Sequence, residues 1–381
     1  MMNILIAPDS FKGSLTAKEV ARAVQKGIHR VKRETNVEIL PMADGGEGTI
    51  TSLVEATQGS LIETEVEDPL GRSIFAQYGL TGDGETAIIE LAAASGLDRL
   101  SEVELDPCSA STYGTGQLIR HALDQGVRQF IVCLGGSATN DGGVGILKAL
   151  GFEFLDEQGE RIAPGGRGLK DVHFIKDTAV PVEVHEASFQ IAYDVNNPFI
   201  GPQGASAVFG PQKGATPEVV QALDEALTRF ADRIEQKTGQ LIHDLPGAGA
   251  AGGTAGGLVA FLQAELKSGI QLVMETVEFE KILEKEQIDL LLTGEGKIDG
   301  QTASGKVISG LAGVAKQYQI PTIAITGSME GDLGALYEKG LSAAFSITSG
   351  PMSLEDSMKR ASELIEMKVE QVMRVLGVGE D

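Results

Sequence analysis

Four short loops hold the residues that could act on an anion, and each follows an apolar run. Pro8-Asp9-Ser10-Phe11-Lys12-Gly13-Ser14 supplies a carboxylate, two hydroxyls and an ammonium. Its plainer reading is a helix cap with a solvent-facing lysine. Ala43-Asp44-Gly45-Gly46-Glu47-Gly48 combines turn-forming glycines with two acids. Glycine lets backbone N–H groups turn toward a ligand. Asp44 and Glu47 would repel a bare anion, so they suit Mg²⁺ or a hydroxyl that must lose a proton. Gly135-Gly136-Ser137-Ala138-Thr139-Asn140-Asp141-Gly142-Gly143 is the densest run of glycine and small polar residues, the composition of a phosphate cradle. Thr293-Gly294-Glu295-Gly296-Lys297-Ile298-Asp299 adds two acids and a lysine, and Lys306 follows. Glu295, Asp299 and Lys306 are candidates for metal and phosphate. Asp194, at the end of an apolar run before Asn196-Asn197-Pro198, is either a catalytic base or an Asx-turn residue.

Two familiar motifs are imitated and rejected. Gly300 to Lys306 fits G-x-x-x-x-G-K, but Val307 stands where a P-loop needs a hydroxyl for Mg²⁺. Gly247 to Gly252 fits G-x-G-x-x-G with only weak strand character before it, and glycine and alanine match by composition alone. Asp44-Gly45-Gly46-Glu47-Gly48 and Asp141-Gly142-Gly143-Val144-Gly145 echo each other, by chance or as two acidic turns. The 5 histidines show no metal spacing, and no nucleophile elbow is present.

Loops of this kind need rigid elements behind them. Asn3 to Ala7 reads as a strand covered on both faces, followed by a helix capped by Ser14 or Thr16. Val37 to Leu40 is a second strand, with a helix from about Gly48 to Gln58. Near the other end, Ile288 to Leu292, Pro321 to Ile325 and Leu341 to Ile347 read as strands. Ser304 to Tyr318 and one long segment, Leu354 to Leu376, read as helices. Strands alternating with helices predict a parallel sheet covered on both faces. Leu61 to Val66, Ile74 to Leu80 and Thr86 to Leu91 are separated by strong turn signals and predict an antiparallel meander. Gln129 to Leu134 and Phe189 to Val195 are further strands, and helices fall near Pro217 to Lys237 and Thr254 to Leu266. The expected architecture is an α/β domain built from both chain ends, residues 1–60 and 286–381, with a mixed α/β domain inserted at 61–285. An insertion of this kind places small-molecule sites in a cleft.

The 381 residues suffice for two or three cores. With 31 basic and 54 acidic side chains the net charge is −23, and no basic face exists for nucleic acid. Leu245 to Ala264 lacks charge but holds Pro246 and 6 glycines, so it predicts a glycine loop feeding a buried helix, not a membrane span. No targeting segment is visible. Two cysteines, Cys108 and Cys133, are too few for a disulfide framework or a zinc site; they form one disulfide or, more simply, are reduced thiols in a cytoplasmic protein.

Taken together and in order, the loops resemble the type 1 glycerate kinase family. The resemblance rests on the four loops above, on Phe209-Gly210-Pro211-Gln212-Lys213-Gly214-Ala215, and on Pro246-Gly247-Ala248-Gly249-Ala250-Ala251-Gly252-Gly253. It spans essentially the whole chain. It implies a flavodoxin-like domain built from the two ends, a larger inserted α/β domain, and ATP, Mg²⁺ and D-glycerate as partners. Lys297 stands where the family has arginine, and the two are not interchangeable at a bidentate contact. On this reading Lys12, Lys213 and Lys306 neutralise carboxylate and phosphates. Ser10, Gly135, Gly136, Ser137, Thr139 and Asn140 bind phosphate or substrate. Glu295, Asp299 or Asp44 holds Mg²⁺, and Asp194 or Asp44 takes the hydroxyl proton. The product is 2-phosphoglycerate, with 3-phosphoglycerate and a homodimer left open. The rival is a metal-dependent phosphatase or hydrolase of a small phosphorylated acid.

Overall fold

A computed structural model of the chain describes residues 2–46, 48–285, 287–299 and 306–377. The chain divides into two compact units: residues 1–44, 51–56 and 268–381, and residues 45–50 with 57–267.

The first unit is built on five parallel strands in the order Leu341–Ser346, Thr322–Met329, Leu290–Ile298, Asn3–Ile6, Asn36–Ile39. Numbered along the chain this is 5-4-3-1-2, the doubly wound order of flavodoxin-like sheets. The central strands are apolar on both faces, and Ile4, Ile6, Leu290 and Leu292 are almost fully buried. The helix Ala17–His29 begins in a capping box. Thr16 Oγ1 accepts from Glu19 N, and the Glu19 carboxylate accepts from Thr16 N. Ser14 is not the cap; its hydroxyl donates to Met358 O at 2.8 Å. This helix packs on Ala361–Leu376. Gly27 allows the close approach, because a Cβ there would lie 2.7 Å from Glu366 O.

The second unit has a six-stranded sheet in the order Glu265–Ser268, Ser188–Tyr193, Gln129–Cys133, Thr86–Glu90, Ser73–Leu80, Ser60–Glu67. The last three form the antiparallel meander. Thr86–Glu90, Gln129–Cys133 and Ser188–Tyr193 run parallel. Phe130, Phe154, Phe199 and Phe230 anchor the unit's core. Cys108 and Cys133 are buried and are not joined in a disulfide.

Four features differ from the sequence expectation. The segment from Ser268 belongs with the chain-end unit, so the split falls before the helices Gly269–Thr276 and Phe279–Lys285 and not at 286. The strand from Leu290 continues to Ile298 through the polar run read as a loop, because it pairs in register with Thr322–Met329. The closing helix breaks at Arg360 into Leu354–Lys359 and Ala361–Leu376. The helix from Thr254 stops at Leu262, where Gln263 takes a left-handed conformation, and Glu265–Ser268 becomes an edge strand. Among the described residues, no helix is long and apolar enough to cross a membrane.

Candidate functional site

Two places collect the chemistry, one in each unit. In the second unit, Gln129–Cys133 and Ser188–Tyr193 are parallel neighbours, so their carboxyl ends open at the same edge of the sheet. In such sheets ligands bind at that edge. Gly135, Gly136 and Ser137 follow the first strand, and Asp194 follows the second. All four line a cavity of about 170 Å³, together with Lys213 and Ala251.

The Gly135–Ser137 turn is fixed from behind. Leu97 N donates to Gly136 O at 2.9 Å, and Ala138 N donates to Ser95 O at 3.0 Å. Among the described residues, the N–H groups of Gly135, Gly136 and Ser137 donate to no protein acceptor. They are donors available to an anion. On another wall Ala251 holds a left-handed backbone at φ 52° without being glycine, a conformation that costs energy and concentrates at ligand sites.

Lys213 sits at the end of the short helical turn Pro211–Lys213, and Gly214 reverses the chain at φ 92°. The lysine is only 1% exposed. Its Nζ donates to Ser137 Oγ at 2.8 Å and to Thr139 O at 2.6 Å. Burial pushes its pKa from 10.5 down to about 7, with Asp141 pulling the other way.

Thr139 and Asn140, expected to bind substrate, do not line the cavity. Both are fully buried behind it. Thr139 contributes its carbonyl to Lys213, and Asn140 Nδ2 donates to Ser206 Oγ at 3.0 Å. Thr139 Oγ1 and Asn140 Oδ1 are buried without a protein partner. The Asp141 echo of Asp44 is a structural knot. Its carboxylate accepts from Thr112 N at 2.8 Å, Thr112 Oγ1 at 2.9 Å, and Gly143 N and Gly145 N at 3.1 Å. Burial pushes the Asp141 pKa up while these donors pull it back.

Gly45 and Gly46 also line the cavity. The helix that follows them is fastened by Glu90, whose Oε1 accepts from Ile50 N at 2.9 Å. Sequence reasoning missed Glu90, which read only as the end of a strand. Tyr193, Phe209 and Gln212 also line the cavity, although sequence reasoning gave them no role and quoted Phe209 and Gln212 only as part of the block around Lys213. Glu47 and the Gly300 to Gly305 part of the rejected P-loop match lie outside the described residues.

In the first unit the carboxyl ends of the strands carry acids. Asp9 N donates to Gly294 O, and Met42 N to Pro8 O, which ties the loops after the first two strands into the sheet. Asp9 accepts from Ser10 N at 2.6 Å. Its pKa is pushed up from 3.8 to about 7, first by burial, then by the charge of Asp44 and, more weakly, of Glu295. Glu295 is buried within its strand. The metal set Glu295, Asp299 and Asp44 does not assemble as a trio. The charges of Asp44 and, more weakly, Glu295 reach Asp9, whereas Asp299 faces Lys297 at 3.9 Å. Among the described residues no group of three His, Cys, Asp or Glu could itself hold a metal ion.

Lys12 is exposed on the Asp9 loop, and its backbone N would lie 3.5 Å from a Cβ on Gly296. Ser10 is partly buried in the same loop. Lys306 precedes the helix Val307–Gln317 and receives the first turn's hydrogen bonds on its carbonyl, including Gly310 N at 2.9 Å. Lys297 is engaged by Glu330 at 2.6 Å on the surface.

Comparison with known proteins gives one consistent result. The model of the glycerate kinase family matches residues 4–377. The chain is 47% identical to a Bacillus subtilis glycerate kinase over 96% of this chain and 95% of that one. It is 46% identical to the Halalkalibacterium halodurans glycerate kinase, covering 98% and 97%. It is 41% identical to Escherichia coli glycerate 2-kinase over 99% of each chain. Among solved structures, a candidate glycerate kinase 2 from Salmonella typhimurium LT2 superposes with a TM-score of 0.91 at 46% identity, covering 100% and 99%. The phosphatase or hydrolase alternative finds no support among these relatives. The chain belongs to the glycerate kinase family.

Proposed function

We propose that this chain transfers the γ-phosphoryl group of ATP to D-glycerate, forming 2-phosphoglycerate and ADP. The observation that carries the reading is the family match over 4–377, joined to a cavity whose free backbone donors and buried lysine suit an anion. The choice of oxygen 2 rests on the likeness to the glycerate 2-kinase of Escherichia coli.

Phosphoryl transfer needs positioning and charge neutralisation more than covalent chemistry. In this reading the N–H groups of Gly135, Gly136 and Ser137 hold anionic oxygens, and Lys213 supplies charge beside them. Asp194, exposed at the strand end, accepts the hydroxyl proton, with Asp44 as the competing base. Lys12, Ser10 and Lys306 serve anions at the first unit. Mg²⁺ accompanies the nucleotide. Magnesium keeps several waters and is usually bound through phosphates and one or two carboxylates, so a full protein cage is not required. Asp9, Asp44 and Glu295 are the acids proposed for that role, since a cation would offset the negative charge of Asp44 and Glu295 at Asp9. Consumption of ATP and two cysteines outside any disulfide fit a cytoplasmic enzyme.

The test is turnover. ADP release that requires D-glycerate supports the kinase. Phosphate release from phosphoglycerate without any acceptor would favour a hydrolase.

A further inference from the structure

The hydrogen-bond inventory of Lys213 is the unusual feature of the cavity. A neutral amine has two N–H groups and one lone pair, whereas an ammonium has three N–H groups. The structure provides two protein acceptors, Ser137 Oγ and Thr139 O, and both are uncharged. The remaining position belongs to a side chain that lines the cavity. A buried ammonium with no counter-ion is costly, so an empty cavity favours the neutral amine.

The charges around it do not outweigh its burial. Asp141, behind the cavity, favours the ammonium through its charge, but its oxygens are directed to donors from Thr112, Gly143 and Gly145. Lys148 also feels the Asp141 charge. The segment against Gly214 commits its own acids. Glu104 bonds Arg72 and Ser101, and Asp106 bonds Cys108 and Ser109. The helix Ala205–Phe209 carries no charge. Among the described residues, the only titratable side chains lining the cavity are Tyr193, Asp194 and Lys213 itself. Asp194 is exposed to water, which screens it.

We propose that Lys213 is a proton-coupled anion ligand: the anion that fills this cavity arrives with one proton from solvent, which ends on Lys213 Nζ. This deepens the glycerate kinase reading and rests on it. The step is R–NH₂ + H⁺ + A⁻ giving R–NH₃⁺···A⁻, with no bond broken in the ligand. The new N–H points where the lone pair was and donates to the anion. The depressed pKa of about 7 sets where the coupling becomes visible. Below it the lysine is already charged and little proton is taken up. Above it nearly a whole proton must enter.

The experiment is calorimetric titration of the full chain with D-glycerate and, separately, with MgADP, in pairs of buffers of different ionisation enthalpy. D-glycerate does not titrate between pH 6 and pH 9, and MgADP barely does. Any proton therefore lands on the protein. The expected uptake is about 0.9 proton at pH 8.5 and about 0.1 at pH 6, with Kd rising about tenfold per pH unit above pH 7. The ligand that shows the uptake is the one whose anion sits here. Zero uptake from both ligands at pH 8.5, or more uptake at pH 6 than at pH 8.5, overturns the proposal. Turnover of ATP and D-glycerate by the same preparation would then leave the kinase reading intact, while no turnover and no binding would sink both. Lys213→Arg, always charged, should bind without uptake. Should that variant not fold, ¹³Cε-lysine NMR of the wild type decides. One lysine signal should titrate near pH 7 in the free protein and stay in its charged form to pH 9 with ligand bound. A lysine that stays charged in both states refutes the idea.

Discussion

Replacing Lys213 by methionine removes a buried cation while nearly filling its space, and the effect should appear in how stability depends on pH. The folded pKa of Lys213 is about 7 and the unfolded value is 10.5. A lysine whose folded pKa is depressed binds fewer protons in the native state than in the unfolded state between those values. Stability must therefore rise with pH across that window. Below about pH 7 the full cost of charging the buried amine is present, on the order of 5 kcal/mol for a shift of about 3.5 units at 1.36 kcal/mol each. Between pH 7.5 and pH 9.5 the wild type should gain about 2.5 kcal/mol from this group alone. Lys148, also depressed by burial, adds a slope of the same sign. The informative quantity is thus the difference between wild type and Lys213→Met. Urea unfolding of both proteins at pH 6.5, 7.5, 8.5 and 9.5 measures it. The methionine variant leaves Ser137 Oγ and Thr139 O short of a donor, a roughly constant cost that does not alter the slope. A wild-type profile parallel to that of the variant would show that Lys213 is not buried as described, and the cavity's electrostatics would have to be rebuilt.

Asp194→Asn should leave the fold unchanged, because the side chain is exposed, and should lower kcat by ~10²–10⁴ if it is the base. Steady-state kinetics beside the same change at Asp44 separates the two candidates, and near wild-type kcat in both would remove the assignment. Gly252→Ala should destabilise the second unit by more than ~2 kcal/mol in urea, since a Cβ there would lie 2.1 Å from Thr139 O on a left-handed backbone. A variant as stable as wild type would contradict that packing. Thr16→Ala should cost about 1 kcal/mol by removing the helix cap, with KM for both substrates unchanged.

The apolar runs at the two chain ends were sufficient to anticipate the parallel sheet, because strands buried on both faces leave a clear pattern. Polar strands were harder to see. Thr293 to Ile298 looks like a loop by composition, and only its neighbour Thr322–Met329 makes it a strand. Glu265–Ser268 is short, polar and at an edge, so sequence pattern alone favoured extending the helix before it. In the site, Gly135, Gly136, Ser137, Asp194 and Lys213 do meet at one cavity. Their convergence follows from glycine loops at parallel strand ends. The burial of Lys213 was not legible, since Pro-Gln-Lys-Gly usually marks a surface turn. Here it is drawn inward by carbonyl and hydroxyl acceptors more than seventy residues away in sequence. Glu90 was invisible for the same reason, because its partner Ile50 is brought near only by the fold.

Phosphoryl transfer from ATP to glycerate can be watched atom by atom in the ³¹P NMR spectrum of a reaction containing the protein, ATP, Mg²⁺ and D-glycerate. ADP and a new phosphomonoester resonance, at the shift of 2-phosphoglycerate, should appear in equal amounts. Inorganic phosphate in place of the ester, or an unchanged ATP spectrum, would contradict it.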